Sequence, residues 1–289
     1  MANVAAAAVD RAQQRGISAE HWQHAQERRA GDDGMGYAAL ARHFGWALEK
    51  AFTGGAEFVI IVEDDLELAR DALLYFAAMA PLLASDPTLL AVSAYADMGQ
   101  QHNVALAGAV YRSDFFPGLG WMLHKSMWAE LGPKWPTAYW DDWLREPAQR
   151  QGRHILRPEV SRSRTFGRVG VSRSQFFDQY LGNVLLANVP VDWLGDADRL
   201  SYLQADAFKA SWDAMLAQAA SMSSASALAQ KVCQEGKPAL EHARHSRAPG
   251  FSAGFPADLA AGMPVVSACY DQFEGSPSSY VGFAQVRIA

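Results

Sequence analysis

Apolar positions in the first third of the chain alternate between helical spacing and short continuous runs. Residues 36–52 carry apolar side chains at helical intervals, and Gly54-Gly55 ends that pattern. Residues 58–62 (FVIIV) form a continuous, largely β-branched run of the kind that is buried on both faces in parallel sheets. A helical stretch at about 70–83 and a short apolar strand at 89–95 follow. The alternation predicts an α/β domain with a largely parallel sheet.

The pattern changes twice further along the chain. Between residues 111 and 180 aromatic residues, glycines and arginines are dense and the hydrophobic period is lost, which is typical of functional loops on a rigid scaffold. After about residue 200 the chain is rich in Ala and Ser, which indicates helix, and residues 280–288 resemble a strand. We therefore expect a first domain over residues 1–200 and a small C-terminal α+β domain over residues 201–289.

Composition and charge exclude some classes of protein. Half of the 289 residues are apolar and 11% are aromatic, so the chain can bury a substantial core. The formal net charge of -6 argues against nucleic acid as the main partner. Cys233 and Cys269 are too few for a disulfide framework or a zinc site, and they do not indicate a compartment.

No secretory signal or membrane anchor is expected in this chain. Residues 1–9 are apolar but too short for such a segment, and they lack a basic start and a cleavage pattern. Residues 72–85 are also too short for a membrane span and are followed by Asp86-Pro87, so we expect them to form a core helix.

Three carboxylates follow the first apolar strand without a gap. Ligands in open α/β sheets bind at the carboxyl ends of the strands, which is where Glu63, Asp64 and Asp65 stand. Clustered carboxylates repel one another unless a cation or donor groups neutralise them. Hard oxygen ligands suit magnesium or manganese, with a nucleotide diphosphate completing the coordination shell. The alternative is a solvated acidic turn that caps the following helix.

A second pair of acids lies among aromatic rings at residues 139–143 (YWDDW). Burial beside apolar rings raises the pKa of a carboxyl group and can tune Asp141 or Asp142 as a general base. The alternative is a structural loop in which the tryptophans fill core space and the aspartates cap a helix.

Arginines are denser between residues 145 and 173 than elsewhere in this acidic chain. Their planar guanidinium groups suit phosphate oxygens. Gly167 and Gly170 would let a lid that carries these arginines hinge or approach the ligand closely. The alternative is a set of surface arginines that pair with acids elsewhere. The arginines are Arg145, Arg150, Arg153, Arg157, Arg162, Arg164, Arg168 and Arg173.

His43 lies on the helix before the acidic strand, a place that is typical of a structural histidine.

Six segments, in this order, resemble the family of N-acetylglucosaminyltransferase I, glycosyltransferase family 13. They are ARHFGWAL (41–48), VEDDLE (62–67), YRSDFFPGLGW (111–121), PKWPTAYWDDW (133–143), RPEVSRSRTFGRVGVS (157–172) and QFFDQYL (175–181). The resemblance implies a GT-A fold, UDP-N-acetylglucosamine as donor, manganese as cofactor and inversion of the anomeric centre. It also implies a β1,2 linkage to an α1,3-linked mannose of a high-mannose N-glycan, made in the Golgi lumen.

The resemblance assigns roles to eight positions. Asp65 would be the direct manganese ligand, and Asp141 would be the general base that takes the proton from the mannose 2-hydroxyl. The other six would surround the nucleotide sugar: His43 near the uridine, Glu63 and Asp64 on the donor, Leu119 and Trp140 at its sugar, and Ser172 on a loop that orders over it.

Two departures from the family bear on these expectations. The family begins with a strand, a helix and a second strand that hold the uridine, and residues 2–31 do not match them, so we expect a GT-A sheet without its first strands. Such a sheet exposes an edge. The family's cysteine pair is replaced by Ala91 and Ile155, an apolar substitute for a bridge.

Two other functions are consistent with parts of this sequence. An inactive or fragmentary relative would bind nucleotide sugar or partners without turnover. A metal-dependent phosphohydrolase or nucleotidyltransferase would explain the acidic triplet but not the PGLGW and YWDDW segments.

Overall fold

The computed structural model of the protein describes residues 2–25, 36–101, 104, 106–171, 177–178 and 180–218. The helices are α1 (Ala2–Gln13), α2 (Tyr37–Thr53), α3 (Ala72–Ser85), α4 (Lys125–Leu131), α5 (Trp140–Arg145), α6 (Pro147–Arg150) and α7 (Ala205–Gln218). The strands are β1 (Phe58–Ile61), β2 (Leu66–Leu68), β3 (Leu89–Ser93), β4 (Val110–Ser113), β5 (Trp121–His124), β6 (His154–Pro158) and β7 (Ser163–Thr165). Short 3-10 helices cover Gly132–Lys134, Leu181–Asn183 and Ala197–Leu203.

The central sheet is mixed, and this corrects the expectation of a largely parallel one. Five strands lie in the order β1-β5-β3-β6-β4, and of the four pairings only β3–β6 is parallel. β1, β3 and β6 run in one direction, while β5 and β4 run between or beside them in the other. A continuous apolar run indicates burial but not the direction of the neighbouring strand, so the sequence pattern could not distinguish these arrangements.

β1 is an edge strand of this sheet, so the prediction that it is buried on both faces is wrong. Among the described residues it pairs with β5 alone, and Ile60 and Val62 are 37% and 44% exposed. The strand predicted at 89–95 is present as β3, which lies in the middle of the sheet with every residue buried. The expected absence of the family's first strands stays a prediction.

The predicted helices are present close to their expected bounds. Helix α2 buries Ala38, Ala41, Phe44 and Leu48 along one stripe, and Gly54 caps its end through an N–H bond to the Lys50 carbonyl. Helix α3 matches the predicted core helix and ends before Asp86. In the described part of the chain, no helix combines the length and the apolar character needed to cross a membrane.

Two apolar cores cover the two faces of the sheet, because successive residues of β5 and β6 point to opposite faces. One core joins α2, α4 and α5 to residues such as Trp121 and Ile155, and the other joins α3 and residues 193–203 to Met122 and Leu156. Ala91 and Ile155 are directly paired across β3 and β6 and are fully buried, the placement expected of an apolar substitute for a bridge.

The chain after residue 190 continues to pack on the first domain as far as α7. Trp193, Leu200 and Leu203 belong to the core beside α3, and the ring of Phe208 packs against His154. The domain boundary near residue 200 stays a prediction, because residues 219–289, with both cysteines and the expected strand at 280–288, lie outside the described residues.

Candidate active site

The acidic triplet lies at one edge of the sheet, directly after β1. β3 and β6 also end at this edge and β5 begins there, since Ile61 pairs with Trp121 and Val92 with Met122. Three segments therefore meet at this edge: the triplet at 63–65, the turn at 117–120 before β5, and residues 161–167 after β6. The expectation that the carboxylates occupy a strand's carboxyl end is correct.

Asp65 is held by the segment that follows β6. A small ladder between β2 and β7 pairs Leu66 with Thr165 and draws the two segments together. The Thr165 hydroxyl donates to Asp65 Oδ2 at 3.2 Å, and the Phe166 N–H donates to the Asp65 carbonyl at 2.9 Å. The other carboxylate oxygen, Oδ1, accepts no hydrogen bond from the described residues and can bind a ligand.

Gly167 lets the segment after β7 lie directly against the Asp65 carboxylate. A Cβ atom at this position would overlap Asp65 Oδ2 and lie 2.9 Å from Asp65 Cγ. Any other residue would therefore push the carboxylate or the loop aside. Gly167 was expected to allow a hinge or a close approach to a ligand, and in the structure its missing side chain leaves room for the Asp65 carboxylate.

The carboxyl group of Glu63 lies in a buried environment that neighbouring carboxylates make negative. Burial, and after it the charge of Asp65, raises the pKa of Glu63 to about 7. Asp141 and Asp64 add to the same negative field. The fold therefore brings Asp141, which is distant in sequence, into the electrostatic environment of the triplet, as a site that assembles around a cation would require.

Asp141 lies on α5, whose start is fixed by the left-handed backbone conformation of Tyr139 and by the buried ring of Trp140. Tyr139 precedes the helix in the left-handed conformation, with φ 50°. Trp140 is buried between the rings of Phe44 and Trp121, at centroid distances of 4.3 and 5.4 Å. The side chain of Asp141 is 40% exposed. The tryptophan thus fills core space, as the structural alternative held, while the neighbouring aspartate remains accessible to a substrate.

Leu119 lies in the turn that enters β5, in three consecutive left-handed residues. Gly118, Leu119 and Gly120 have φ values of 69°, 50° and 91°. Such a φ is costly for leucine, and hydrogen bonds hold it: Ser163 Oγ donates to the Leu119 carbonyl at 2.5 Å and Ser93 Oγ to the Gly118 carbonyl at 3.0 Å. Leu119 therefore belongs to the same edge as the triplet.

The structure does not bring every predicted residue into this cluster. His43 lies on the exposed face of α2, where its Nδ1 is 3.4 Å from Nδ1 of His24 and its ring packs near Trp46. Its predicted place near the uridine stays a prediction. Ser172 lies outside the described residues.

Most of the described arginines pair with acids, which favours the alternative to a phosphate lid. Arg162 is completely buried against Asp71, so the lid role is wrong for this residue. Burial alone would raise the pKa of Asp71, but N–H bonds from Val191 and Trp193, together with the charge of Arg162, hold it below the ordinary value. The other pairs are Arg145–Asp142, Arg153–Glu130, Arg164–Glu67 and Arg168–Asp178. Arg173 lies outside the described residues.

The described side chains could hold a metal only with help from a ligand. Among them, no three His, Cys, Asp or Glu residues form a ready-made cage. Asp65 can serve as one anionic oxygen ligand, and a diphosphate would supply further oxygens, which is a common arrangement for divalent cations at nucleotide sites. Burial raises the pKa of Glu63 and the charges of Asp65, Asp141 and Asp64 add to the shift, so this buried negative cluster favours a cation. The donor set therefore fits manganese or magnesium bound together with a nucleotide.

A mixed α/β sheet with carboxylates after one strand and an accessible aspartate on a neighbouring helix is consistent with a GT-A-like glycosyltransferase. The chain belongs to the GNT-I family, whose sequence model it matches over residues 25–241. The family resemblance seen in the six segments is therefore confirmed, and the family match extends past residue 200.

A plant enzyme is a close relative of this chain. The chain is 51% identical over 168 residues to the alpha-1,3-mannosyl-glycoprotein 2-beta-N-acetylglucosaminyltransferase of Arabidopsis thaliana. The matched stretch covers 58% of this chain and 37% of the plant protein, so the chain matches little more than a third of that relative's length.

Proposed function

We propose that the chain transfers N-acetylglucosamine from UDP-N-acetylglucosamine to the 2-hydroxyl of an α1,3-linked mannose on a high-mannose N-glycan. Membership of the GNT-I family and the name of the plant relative support the reaction class. The observation that carries the proposal is geometric: Trp140, the neighbour of Asp141, stacks on Trp121, which pairs with Ile61 at the end of the strand before the triplet. Sugar transfer from a nucleotide donor needs a general base beside a cation site that carboxylates form.

In this proposal Asp65 holds the cation and the neighbouring residues hold Asp65. Manganese, when bound, supplies a positive charge that stabilises the departing diphosphate. The Thr165 hydroxyl orients the Asp65 carboxylate, and the missing side chain at Gly167 leaves space for it. Glu63 and Asp64 flank it on the donor side, with Leu119 and Trp140 towards the sugar. His43 and Ser172 complete the proposed donor contacts.

Asp141 acts as the base of a single displacement. Its carboxylate takes the proton of the mannose 2-hydroxyl, the mannose oxygen forms a bond to C1 of N-acetylglucosamine, and the bond from C1 to the diphosphate oxygen breaks. One displacement inverts the anomeric centre and yields a β1,2 linkage, with no need for a carboxylate nucleophile. The accessible but partly buried position of Asp141 suits this role.

The proposed setting is the Golgi lumen, with N-glycans of glycoproteins as acceptors, because the family resemblance implies it. A second candidate is a relative that binds the nucleotide sugar without turnover. It is supported by the lack, among the described residues, of a ready-made group of three metal-binding side chains.

A transfer assay separates these candidates. The purified chain is incubated with UDP-N-acetylglucosamine, Mn²⁺ and a five-mannose N-glycan, beside Asp141→Asn and Asp65→Ala. We expect transfer by the parent, a loss of about 10²–10⁴-fold in Asp141→Asn, and loss in Asp65→Ala and on chelation. Donor binding without transfer by the parent would favour the second candidate. Full activity of Asp141→Asn would exclude it as the base.

A further inference from the structure

Arg145 closes helix α5 one turn after Asp141, and its guanidinium lies against two acids. Its Nη1 atom is 2.7 Å from Asp142 Oδ1 and 3.6 Å from Asp141 Oδ2. The Arg145 side chain is only 12% exposed, whereas that of Asp142 is 67% exposed. A guanidinium that is this well buried is held in one position more firmly than the arginine of a surface ion pair.

The same guanidinium is attached to a second segment of the site. Its Nε donates to the Phe116 carbonyl at 2.9 Å, and its plane lies over the Phe115 ring at 4.7 Å from the centroid. Phe116 is followed directly by the turn at 117–120 that contains Leu119. Arg145 therefore links the helix that carries Asp141 to the turn that enters β5.

This link matters because α5 is too short to hold its own position. A helix of six residues is not stable in isolation, so its orientation depends on its tertiary contacts. Trp140 anchors its first residue in the aromatic core and Arg145 anchors its last. Asp141 lies between these two anchors.

We propose that Arg145 is a positioning residue, which fixes the Asp141 carboxylate relative to the turn at 117–120 that faces the donor sugar. This inference rests on the proposed function, because it concerns the geometry of the same reaction. The planar fork is essential to it: Nε serves the Phe116 carbonyl while Nη1 serves the aspartates, and a lysine ammonium cannot span both.

The test compares Arg145→Met, Arg145→Lys and the matched control Asp142→Asn with the parent in the transfer assay. We expect Arg145→Met to lower kcat by about 100-fold while KM for the donor changes by less than about threefold, because misplacement of a base by about 1 Å has effects of that size. Arg145→Lys should recover part of the loss. Asp142→Asn keeps an oxygen that can accept the hydrogen bond from Arg145 and should therefore retain nearly the parent kcat.

The outcomes separate the positioning role from a structural one and from failure of the proposed function. Parent-like kcat in Arg145→Met overturns the inference. So does a loss that accompanies a large fall in Tm and is not improved in Arg145→Lys, since that pattern indicates a purely structural residue. If Arg145→Met does not fold, Arg145→Lys decides, and a parent-like kcat in that folded variant overturns the inference. A folded parent that gives no transfer overturns the proposed function and this inference together.

Discussion

Substitution of Gly167 by alanine tests how the fold positions Asp65. A methyl group at residue 167 would overlap Asp65 Oδ2 and lie 2.9 Å from Asp65 Cγ. Non-bonded carbon atoms normally lie about 3.5–4.0 Å apart, so the carboxylate or the loop must move by roughly 1 Å. Gly167 is not among the glycines with positive φ, so its backbone tolerates alanine and the clash is the main effect.

The expected consequences are a modest loss of stability and a larger loss of ligand affinity. Overpacking of this kind costs about 1–3 kcal/mol in the free energy of unfolding. Residues that orient a metal ligand change metal affinity by about 10–100-fold when they are altered. We therefore expect Gly167→Ala to weaken Mn²⁺ binding in the presence of UDP by that factor and to lower kcat at least as much.

Calorimetric titration of Mn²⁺ into the chain with UDP present measures the first effect directly. Gly170→Ala is the matched control, because a Cβ at Gly170 would meet no atom of the described residues within 4 Å and its φ is not positive either. The control should bind within about threefold of the parent, as surface substitutions usually do. Parent-like affinity in Gly167→Ala would refute the steric role of Gly167 and the dependence of Mn²⁺ binding on the position of Asp65.

Three further predictions concern stability. Gly45→Ala should destabilise the chain by about 1–3 kcal/mol in thermal or urea unfolding, because its Cβ would lie 2.7 Å from the Trp135 ring; a gain in stability from the better helix former would contradict the packing argument. Arg162→Met should cost about 3–5 kcal/mol by leaving Asp71 buried without its partner, and adding Asp71→Asn should recover part of it; no recovery would show that the pair is not coupled. Burial raises the pKa of Asp114 from 3.8 to about 6, so the native state holds the extra proton and stability should fall as pH rises between these values; Asp114→Asn should flatten that slope in pH-dependent unfolding, and an unchanged slope would contradict the assignment.

Local sequence patterns predicted the parts of this fold that depend on local chemistry. Helical spacing with a glycine stop located α2, and the apolar run at 89–95 located the strand β3. The acidic triplet could be placed at a strand end because it follows an apolar run without a gap. The direction of β5 and the edge position of β1 depend on which strands meet in space, and a run of apolar residues carries no such information.

The sequence interpretation failed where contacts between residues distant in the chain determine the structure. A cluster of arginines in sequence suggested a common phosphate ligand, but the fold sends Arg162 inward to Asp71 and Arg153 towards Glu130. The steric contact of Gly167 with Asp65 joins residues far apart in the chain and leaves no local signal. The link from Arg145 to Asp141 was within reach of sequence reasoning, because acids and bases four residues apart on a helix are neighbours.

The central claim is that Asp141 is the base of an inverting sugar transfer at the edge of the sheet that carries the triplet. The most direct test is a single-turnover reaction with UDP-N-acetylglucosamine, Mn²⁺ and a five-mannose N-glycan, with the product linkage determined by NMR. The account predicts a β-linked sugar on the mannose 2-hydroxyl from the parent and from Asp142→Asn, and at least about 100-fold slower formation by Asp141→Asn. An α-linked product, or an Asp141→Asn variant as fast as the parent, would contradict it.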